Sequence, residues 1–142
     1  MARYYAAVDR VAQDPGAPLG DLSDVAIGAQ LSAETTLLKR QRSSHQTQRG
    51  NTKATRIDVQ SVNLDNTDPS AGKVPTVQVD VCWDVSDVDV IDSAGKSIVS
   101  ENRPNTGWTR LTVANYNYAD DPEGAWRVAT GQDLKKAPCA AS

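Results

Sequence analysis

The chain contains one histidine, His45, which is the first candidate for a general acid or base. Imidazole titrates near neutral pH and is the side chain most often used for proton transfer. His45 is flanked by Ser43, Ser44 and Gln46 at the end of a predicted helix, where solvent gives it little shelter. We therefore expect a solvated residue that complements the helix C terminus. A Ser-His-Asp triad would need the same histidine, so we expect no catalytic residue and no enzymatic activity.

A series of aspartates suggests a second chemistry, calcium binding, because carboxylate oxygens are the ligands that calcium prefers. The series comprises Asp80, Asp84, Asp87, Asp89 and Asp92. Valines occupy the intervening positions, as in a half-exposed strand, and the glycine and terminal glutamate of a helix-loop-helix calcium site are missing. We predict a solvated acidic sheet face and hairpin, with no metal and no cofactor.

Basic residues are concentrated in one segment that contains no acidic residue. They are Lys39, Arg40, Arg42, Arg49, Lys53 and Arg56. These cations can complement the C terminus of a helix, or they can contact anionic lipid headgroups or an acidic protein partner. Nucleic acid is not an expected partner, because no aromatic residue interleaves the basic ones to stack bases and the net charge is −3.

The two cysteines, Cys82 and Cys139, are candidates for a disulfide. Their number is even and their spacing fits no metal-binding pattern. A bond between them would close a long loop and contribute about 4 kcal/mol to stability. A buried free thiol at Cys82 and an idle one at Cys139 are the alternative. A disulfide implies an oxidising compartment.

The composition bounds the fold. A chain of 142 residues, 39% hydrophobic and 23% charged, suits one globular domain over residues 1–142. No run approaches the roughly 20 apolar residues that a membrane helix needs. The N terminus has no charged and apolar leader pattern. Because a disulfide-bonded protein must be exported, we expect a signal sequence or lipid anchor to precede Ala2; a cytosolic protein with two free thiols is the alternative.

Helical periodicity is confined to the first third of the chain. Apolar residues between Tyr4 and Ala12 predict a first helix over about 2–13, which ends before Pro15. A second helix is predicted over about 21–46, with two apolar rows. One row comprises Leu22, Ala26, Ala29, Ala33 and Leu37, and the other comprises Ile27, Leu31 and Leu38. We expect the second row to pack on the first helix; a ligand cavity or another subunit is the alternative partner.

The period changes to two beyond Gly50, which predicts a β-rich region over 53–132 and a basic tail over 133–142. The parity of apolar residues switches within three predicted strands: Thr55–Leu64, Val77–Val90 and Leu111–Tyr118. Such switches indicate β-bulges, which curve a sheet. The connections at 93–96 and 120–124 are typical of hairpins, so the sheet should be mostly antiparallel. Its tryptophans, Trp83, Trp108 and Trp126, should pack in the core, with an exposed Trp108 as the alternative.

Two N-terminal helices followed by a curled antiparallel sheet resemble the α+β cone of nuclear transport factor 2-like proteins, a cystatin-like fold, over essentially the whole chain. Residues 3–9 (RYYAAVD), 18–26 (PLGDLSDVA), 82–92 (CWDVSDVDVID) with AGK at 94–96, and the closing Cys139 are similar to small exported or lipid-anchored proteins of actinobacteria and their phages. These segments contain no catalytic motif.

We expect a non-catalytic interaction module at the cell envelope, the ectodomain of an exported protein or lipoprotein with a protein partner, because the expected fold offers a cavity but the sequence offers no credible acid–base set to line it. If a phage or mobile element encodes it, superinfection exclusion or a transfer apparatus is the expected role. The alternative is a small-molecule-binding protein, or an isomerase or dehydratase, that uses buried Asp, Tyr or Trp side chains in the cone. That alternative predicts a pocket of some hundreds of Å³ with convergent polar groups. The interaction module predicts a filled cone with an exposed apolar or basic patch, and a homodimer closing over the sheet is a third interpretation.

Overall fold

A computed structural model describes residues 1–139. Two helices come first, α1 (Ala2–Gln13) and α2 (Gly28–Ser43), with a 3₁₀ turn at Leu19–Asp24 between them. A second 3₁₀ turn, Pro69–Ala71, follows the second of six strands. The strands are β1 (Thr47–Arg49), β2 (Lys53–Asn63), β3 (Thr76–Asp84), β4 (Asp89–Ile91), β5 (Thr106–Asn115) and β6 (Trp126–Leu134). The chain is therefore α+β, with helices packed on a mostly antiparallel sheet, as its sequence predicts.

The main sheet has four antiparallel strands in the order β2-β3-β5-β6. Val81 at its centre lies opposite Ile57 of β2 and Thr109 of β5. The strands β1 and β4 form a separate antiparallel pair in which Thr47 lies opposite Ile91. Because the main sheet is open, β2 and β6 are its two edges.

The helices cover one face of the main sheet, and the core lies beneath them. Its first cluster joins α1 to the sheet and comprises Tyr4, Val25, Ala26, Val79, Val81, Leu111 and Val128. A second cluster lies between the two helices and the first 3₁₀ turn and comprises Val11, Ala12, Ala17, Leu22 and Leu38. Burying each larger aliphatic side chain contributes about 2 kcal/mol, so these contacts hold both helices to the sheet. The expected packing of Leu31 and Leu38 against the first helix is confirmed.

The predicted bounds of the second helix, 21–46, are wrong. Residues 25–27 instead pair with β6, where the Val128 N–H donates to the Val25 carbonyl and the Ile27 N–H donates to the Val128 carbonyl. Because α2 begins only at Gly28, Leu22 and Ala26 do not share a helical face with Ala29, Ala33 and Leu37, and these last three residues are exposed. The 3₁₀ turn and this backbone pairing with the sheet edge together replace the first two turns of the predicted helix.

The three parity switches have different structural causes. Only the switch in β2 is a bulge, where the register with β3 shifts between Val59 and Ser61. The second switch marks a break, because β3 ends at Asp84 and β4 begins at Asp89. The third marks the end of β5 at Asn115. The strand region is also slightly longer than predicted, from Thr47 to Leu134.

The C-terminal tail (residues 135–139) crosses the face of the sheet opposite the helices. A disulfide joins Cys139 to Cys82 of β3, as predicted, and the Thr106 hydroxyl donates to the Cys139 carbonyl at 2.9 Å. Lys136 contacts the buried Asp80 and lies 4.9 Å from the centre of the Trp108 ring. The predicted tail over 133–142 is thus a covering segment, and its last three residues lie outside the described part of the chain.

Candidate ligand-binding cleft

An open cleft of about 610 Å³ lies between the two helices and the main sheet, and we call it the central cleft. Tyr4 and Tyr5 from α1 and Trp83 from β3 supply its aromatic walls. Its aliphatic walls come from Leu37, Val85 and Leu111. Its polar groups are Gln30, Glu34, Thr52, Arg103, Thr109 and Asp133. The volume is typical of a site for a small organic ligand.

One polar cluster joins the two helices at the cleft wall. The Tyr4 hydroxyl donates to Glu34 Oε1 at 2.6 Å, and Gln30 Nε2 donates to the same oxygen at 2.9 Å and to the Tyr4 hydroxyl at 2.7 Å. Gln30 and Glu34 are one turn apart on α2, so both side chains reach the same spot. This cluster positions the Glu34 carboxylate in the cleft.

A second polar chain crosses the sheet side of the cleft. Trp83 Nε1 donates to the Thr109 hydroxyl at 3.1 Å, and that hydroxyl donates to Asp133 Oδ1 at 2.9 Å. The three residues lie on β3, β5 and β6, three consecutive strands of the sheet. The chain orients the Trp83 ring and presents a second carboxylate.

The tyrosines lie in a negative environment. Burial, reinforced by Glu34, raises the pKa of Tyr4 far above its usual value. Burial, with the charges of Glu34, Asp9 and Asp133, raises the pKa of Tyr5 to about 12. Both phenols are therefore protonated at physiological pH. Tyr4 donates its proton to Glu34, whereas the Tyr5 hydroxyl can donate to a ligand.

Two glycines leave space for the side chains of the cleft wall. A Cβ on Gly107 would lie 2.3 Å from the Trp83 ring, and a Cβ on Gly131 would lie 2.8 Å from Gln30 Oε1. Real side chains do not approach so closely, so any larger residue would displace Trp83 or Gln30. The absence of side chains at these positions therefore allows both polar chains to form.

Arg103 is the cation of the cleft lining. Its Nη2 atom donates to the carbonyls of Val85 and Val88, each at 2.9 Å, and its buried Nε atom has no hydrogen-bond partner among residues 1–139. Backbone carbonyls hold the guanidinium at the loop between β3 and β4. Arg103 thus anchors this loop at one end of the cleft.

Sequence reasoning did not single out Gln30, Glu34, Arg103, Thr109 or Asp133. The available signal was a polar pair with helical spacing, Gln30 and Glu34, next to the apolar Leu31 and Leu38. By contrast, the candidate base His45 is exposed beyond the end of α2 and does not line the central cleft.

The predicted basic segment is divided among α2, β1 and β2, and half of its residues have intramolecular partners. Arg42 Nη2 donates to the carbonyls of Val11, Asp14 and Ala17, which joins α2 to the end of α1. Lys53 pairs with Asp87 at 2.7 Å, and Arg56 pairs with Asp58 at 2.9 Å.

The remaining basic residues, Lys39, Arg40 and Arg49, are exposed and have no salt-bridge partner among residues 1–139. They are the members of the segment whose charge is available to a partner.

The predicted solvated acidic face is wrong for two of its members, because Asp80 and Asp84 are buried. Asp80 pairs with Arg110 and Lys136, and Asp84 accepts hydrogen bonds from the Ser86 N–H and hydroxyl. Asp87 pairs with Lys53, while Asp89 and Asp92 accept hydrogen bonds within the β4 hairpin. Within residues 1–139, no group of three or more His, Cys, Asp or Glu side chains is arranged to hold a metal ion.

The tryptophans occupy three different environments. Trp83 lines the central cleft, whereas Trp108 lies on the opposite sheet face between Lys136 and Arg56, whose guanidinium is 5.7 Å from the ring centre. Trp126 packs edge to face on Tyr118 and donates to the Pro122 carbonyl at 2.8 Å. The core placement predicted for Trp108 is therefore wrong, because the tail makes a second sheltered site on the outer face.

An apolar stripe lies along the edge strand β2. It comprises Ile57, Val59, Val62 and Leu64, which are 46–63% exposed. The first three lie opposite Val81, Val79 and Val77 of β3, and cross-strand partners share a face. The β2 stripe therefore continues the core face of the sheet beyond the area that the helices cover.

The fold is also found among solved structures. The intermembrane space region of the chloroplast protein ARC6 superimposes with a TM-score of 0.59 and 15% sequence identity, over 94% of this chain and 89% of that one. At this identity the likeness concerns the fold alone. The chain matches no known family profile and no curated protein sequence. Among the helices in residues 1–139, none is both long and apolar enough to cross a membrane.

Proposed function

We propose that this domain binds a small organic molecule in the central cleft. The observation that carries the proposal is the convergence of two polar chains, ending at Glu34 and Asp133, in a cleft of about 610 Å³ with aromatic walls. Sites of this kind combine apolar area with a few fixed polar groups.

An uncharged fluorescent reporter, N-phenyl-1-naphthylamine, tests this proposal. We expect saturable binding with a stoichiometry of one and at least a tenfold loss of affinity in L37W. Leu37 lies at the cleft and is half exposed, so a tryptophan there would occupy the opening without removing a core contact. The matched control is T36W, an exposed neighbour outside the cleft lining. Equal affinity in L37W and the wild-type protein would place the reporter elsewhere and contradict the proposal.

A second candidate function, protein interaction, is favoured by the β2 stripe. An exposed edge strand with apolar side chains is a template for strand pairing with another chain. We propose a second copy of this chain as the partner. Arg56 and Asp58 give β2 one positive and one negative charge, and antiparallel pairing of two β2 strands can place Arg56 of one copy near Asp58 of the other.

Sedimentation velocity over a concentration series tests this interaction. We expect a dimer at micromolar concentration that becomes monomeric in V59K, which places a charge in the stripe. The control is Q60K, which adds the same charge at the neighbouring exposed position. A monomeric wild-type protein at all concentrations, or equal dimerisation of the two variants, would contradict pairing through β2.

We also infer that the domain works in an oxidising compartment outside the cytoplasm, where disulfides persist. The Cys82–Cys139 bond supports this inference. The register shifts in β2 and between β5 and β6 support a curved, nuclear transport factor 2-like cone, because bulges bend strands. Contact of the exposed Lys39, Arg40 and Arg49 with anionic headgroups or an acidic partner, a lipid anchor, and an actinobacterial or phage origin stay predictions from the sequence.

A further inference from the structure

The hydrogen-bond donors of the central cleft are directed at its carboxylates. Tyr4 and Gln30 donate to Glu34 Oε1, and Trp83 donates through the Thr109 hydroxyl to Asp133 Oδ1. Each series of hydrogen bonds therefore ends on a carboxylate oxygen, which accepts. The second oxygens, Glu34 Oε2 and Asp133 Oδ2, have no hydrogen-bond donor within residues 1–139. Two carboxylate oxygens thus remain free to bind a ligand.

The charged side chains that line the central cleft carry a net negative charge. Glu34 and Asp133 contribute two negative charges, and Arg103 contributes one positive charge that is engaged by the carbonyls of Val85 and Val88. The rings of Tyr4, Tyr5 and Trp83 also line the cleft, and the electron-rich faces of aromatic rings attract cations. Aromatic faces and carboxylates together are the groups with which proteins bind organic ammonium ions.

We infer that the ligand of the central cleft is an organic cation, with an ammonium-type head that pairs with Glu34 and Asp133 and an apolar body that packs on Trp83 and Leu111. This inference rests on the proposed binding function and names its ligand class. The raised pKa of Tyr5, to which both carboxylates contribute, is consistent with a negative field in the cleft.

Three small probes of similar size and different charge test the inference at neutral pH. They are benzyltrimethylammonium, benzyl alcohol and phenylmethanesulfonate, followed by the NMR signal of the Trp83 indole N–H. We expect the cation to bind at least tenfold more tightly than the alcohol, and the anion to bind most weakly. The E34Q/D133N variant should lose at least tenfold in affinity for the cation and less than twofold for the alcohol.

The control variant D120N/E123Q removes the same two charges at exposed positions outside the central cleft, and it should bind all three probes as the wild-type protein does. Tighter binding of the alcohol or the anion would overturn the cation inference while supporting a binding cleft. Equal loss of cation affinity in both double variants would also overturn it, because net charge alone would then be responsible. If no probe shifts the Trp83 signal at millimolar concentration, the binding function itself fails, and the inference fails with it.

Discussion

Asp80 shows how a charged side chain can be fully buried in this sheet. Its carboxylate accepts hydrogen bonds from Arg110 Nε at 2.7 Å and Nη2 at 3.1 Å. It also accepts one from Lys136 Nζ at 2.5 Å. The hydrogen bond from Arg110 is the largest influence and, together with Lys136, outweighs the cost of burial. These contacts lower the pKa of Asp80 to about 2. A buried carboxylate with two cationic partners is satisfied, and it ties the C-terminal tail to β3 and β5.

The stability contributed by Asp80 should depend on pH. Because its folded pKa is below its unfolded value of 3.8, the contribution is complete above pH 4 and is lost as the pH falls through about 2. The shift corresponds to about 2 kcal/mol. The free energy of unfolding, measured with urea, should therefore fall between pH 6 and pH 2 by about 2 kcal/mol more for the wild-type protein than for D80N. The control D120N replaces an exposed aspartate. Identical pH dependence of the D80N and wild-type proteins would contradict this role.

At the scale of elements, the end of α2 shows how a helix stops without glycine. The Gln46 N–H donates to the Gln41 carbonyl, and the His45 N–H donates to the Arg42 carbonyl. This is a Schellman arrangement, and it places His45 in the left-handed region with φ of 54°. A residue with a Cβ is strained there, so His45 occupies a backbone position that favours glycine.

Glycine at this position should stabilise the protein. We expect H45G to raise the free energy of unfolding by about 1 kcal/mol, since glycine adopts positive φ without steric cost. Urea denaturation measures the change. H45A retains the Cβ and removes only the imidazole, so it serves as the matched control and should bring no such gain. A destabilised H45G would show that the imidazole makes a contribution larger than the backbone strain.

The whole molecule has two covered faces. The helices shelter one side of the sheet and leave the central cleft, while the C-terminal tail shelters part of the other through the disulfide, Asp80 and Trp108. A domain of this size with few aromatic residues has a modest core. Closing a loop of 57 residues restricts the unfolded chain and adds stability from outside that core.

Removing the disulfide should destabilise the protein. We expect C139A to lower the free energy of unfolding by up to about 4 kcal/mol, because the unfolded chain regains the entropy of the open loop. This variant leaves the buried Cys82 in place and so creates no cavity. K135A, an exposed residue of the same tail, is the control. Thiol alkylation before and after reduction verifies the bond in the wild-type protein. Equal stability of C139A and an oxidised wild-type protein would contradict the contribution.

Patterns within short segments were sufficient to predict α1, the order of helices before strands, the antiparallel sheet and the cysteine pair. They were insufficient where a distant element competes for the backbone. Residues 25–27 carry a helical pattern, yet β6 offers their N–H and C=O groups sheet partners, so the helix begins later. Parity switches were equally ambiguous, because a bulge in β2, a break after β3 and the end of β5 produce the same pattern.

The sequence by itself determined the class of fold and the disulfide, because periodicity, composition and cysteine count are properties of the chain alone. Only the tertiary structure decided the site. Glu34 and Asp133 are far apart in the sequence and meet at one cleft because α2 packs over β6. Asp80 shares its alternating valine pattern with solvated strands, yet it is buried where Arg110 of β5 and Lys136 of the C-terminal tail contact it. Burial and convergence depend on which distant segments pack together, and no local pattern records that.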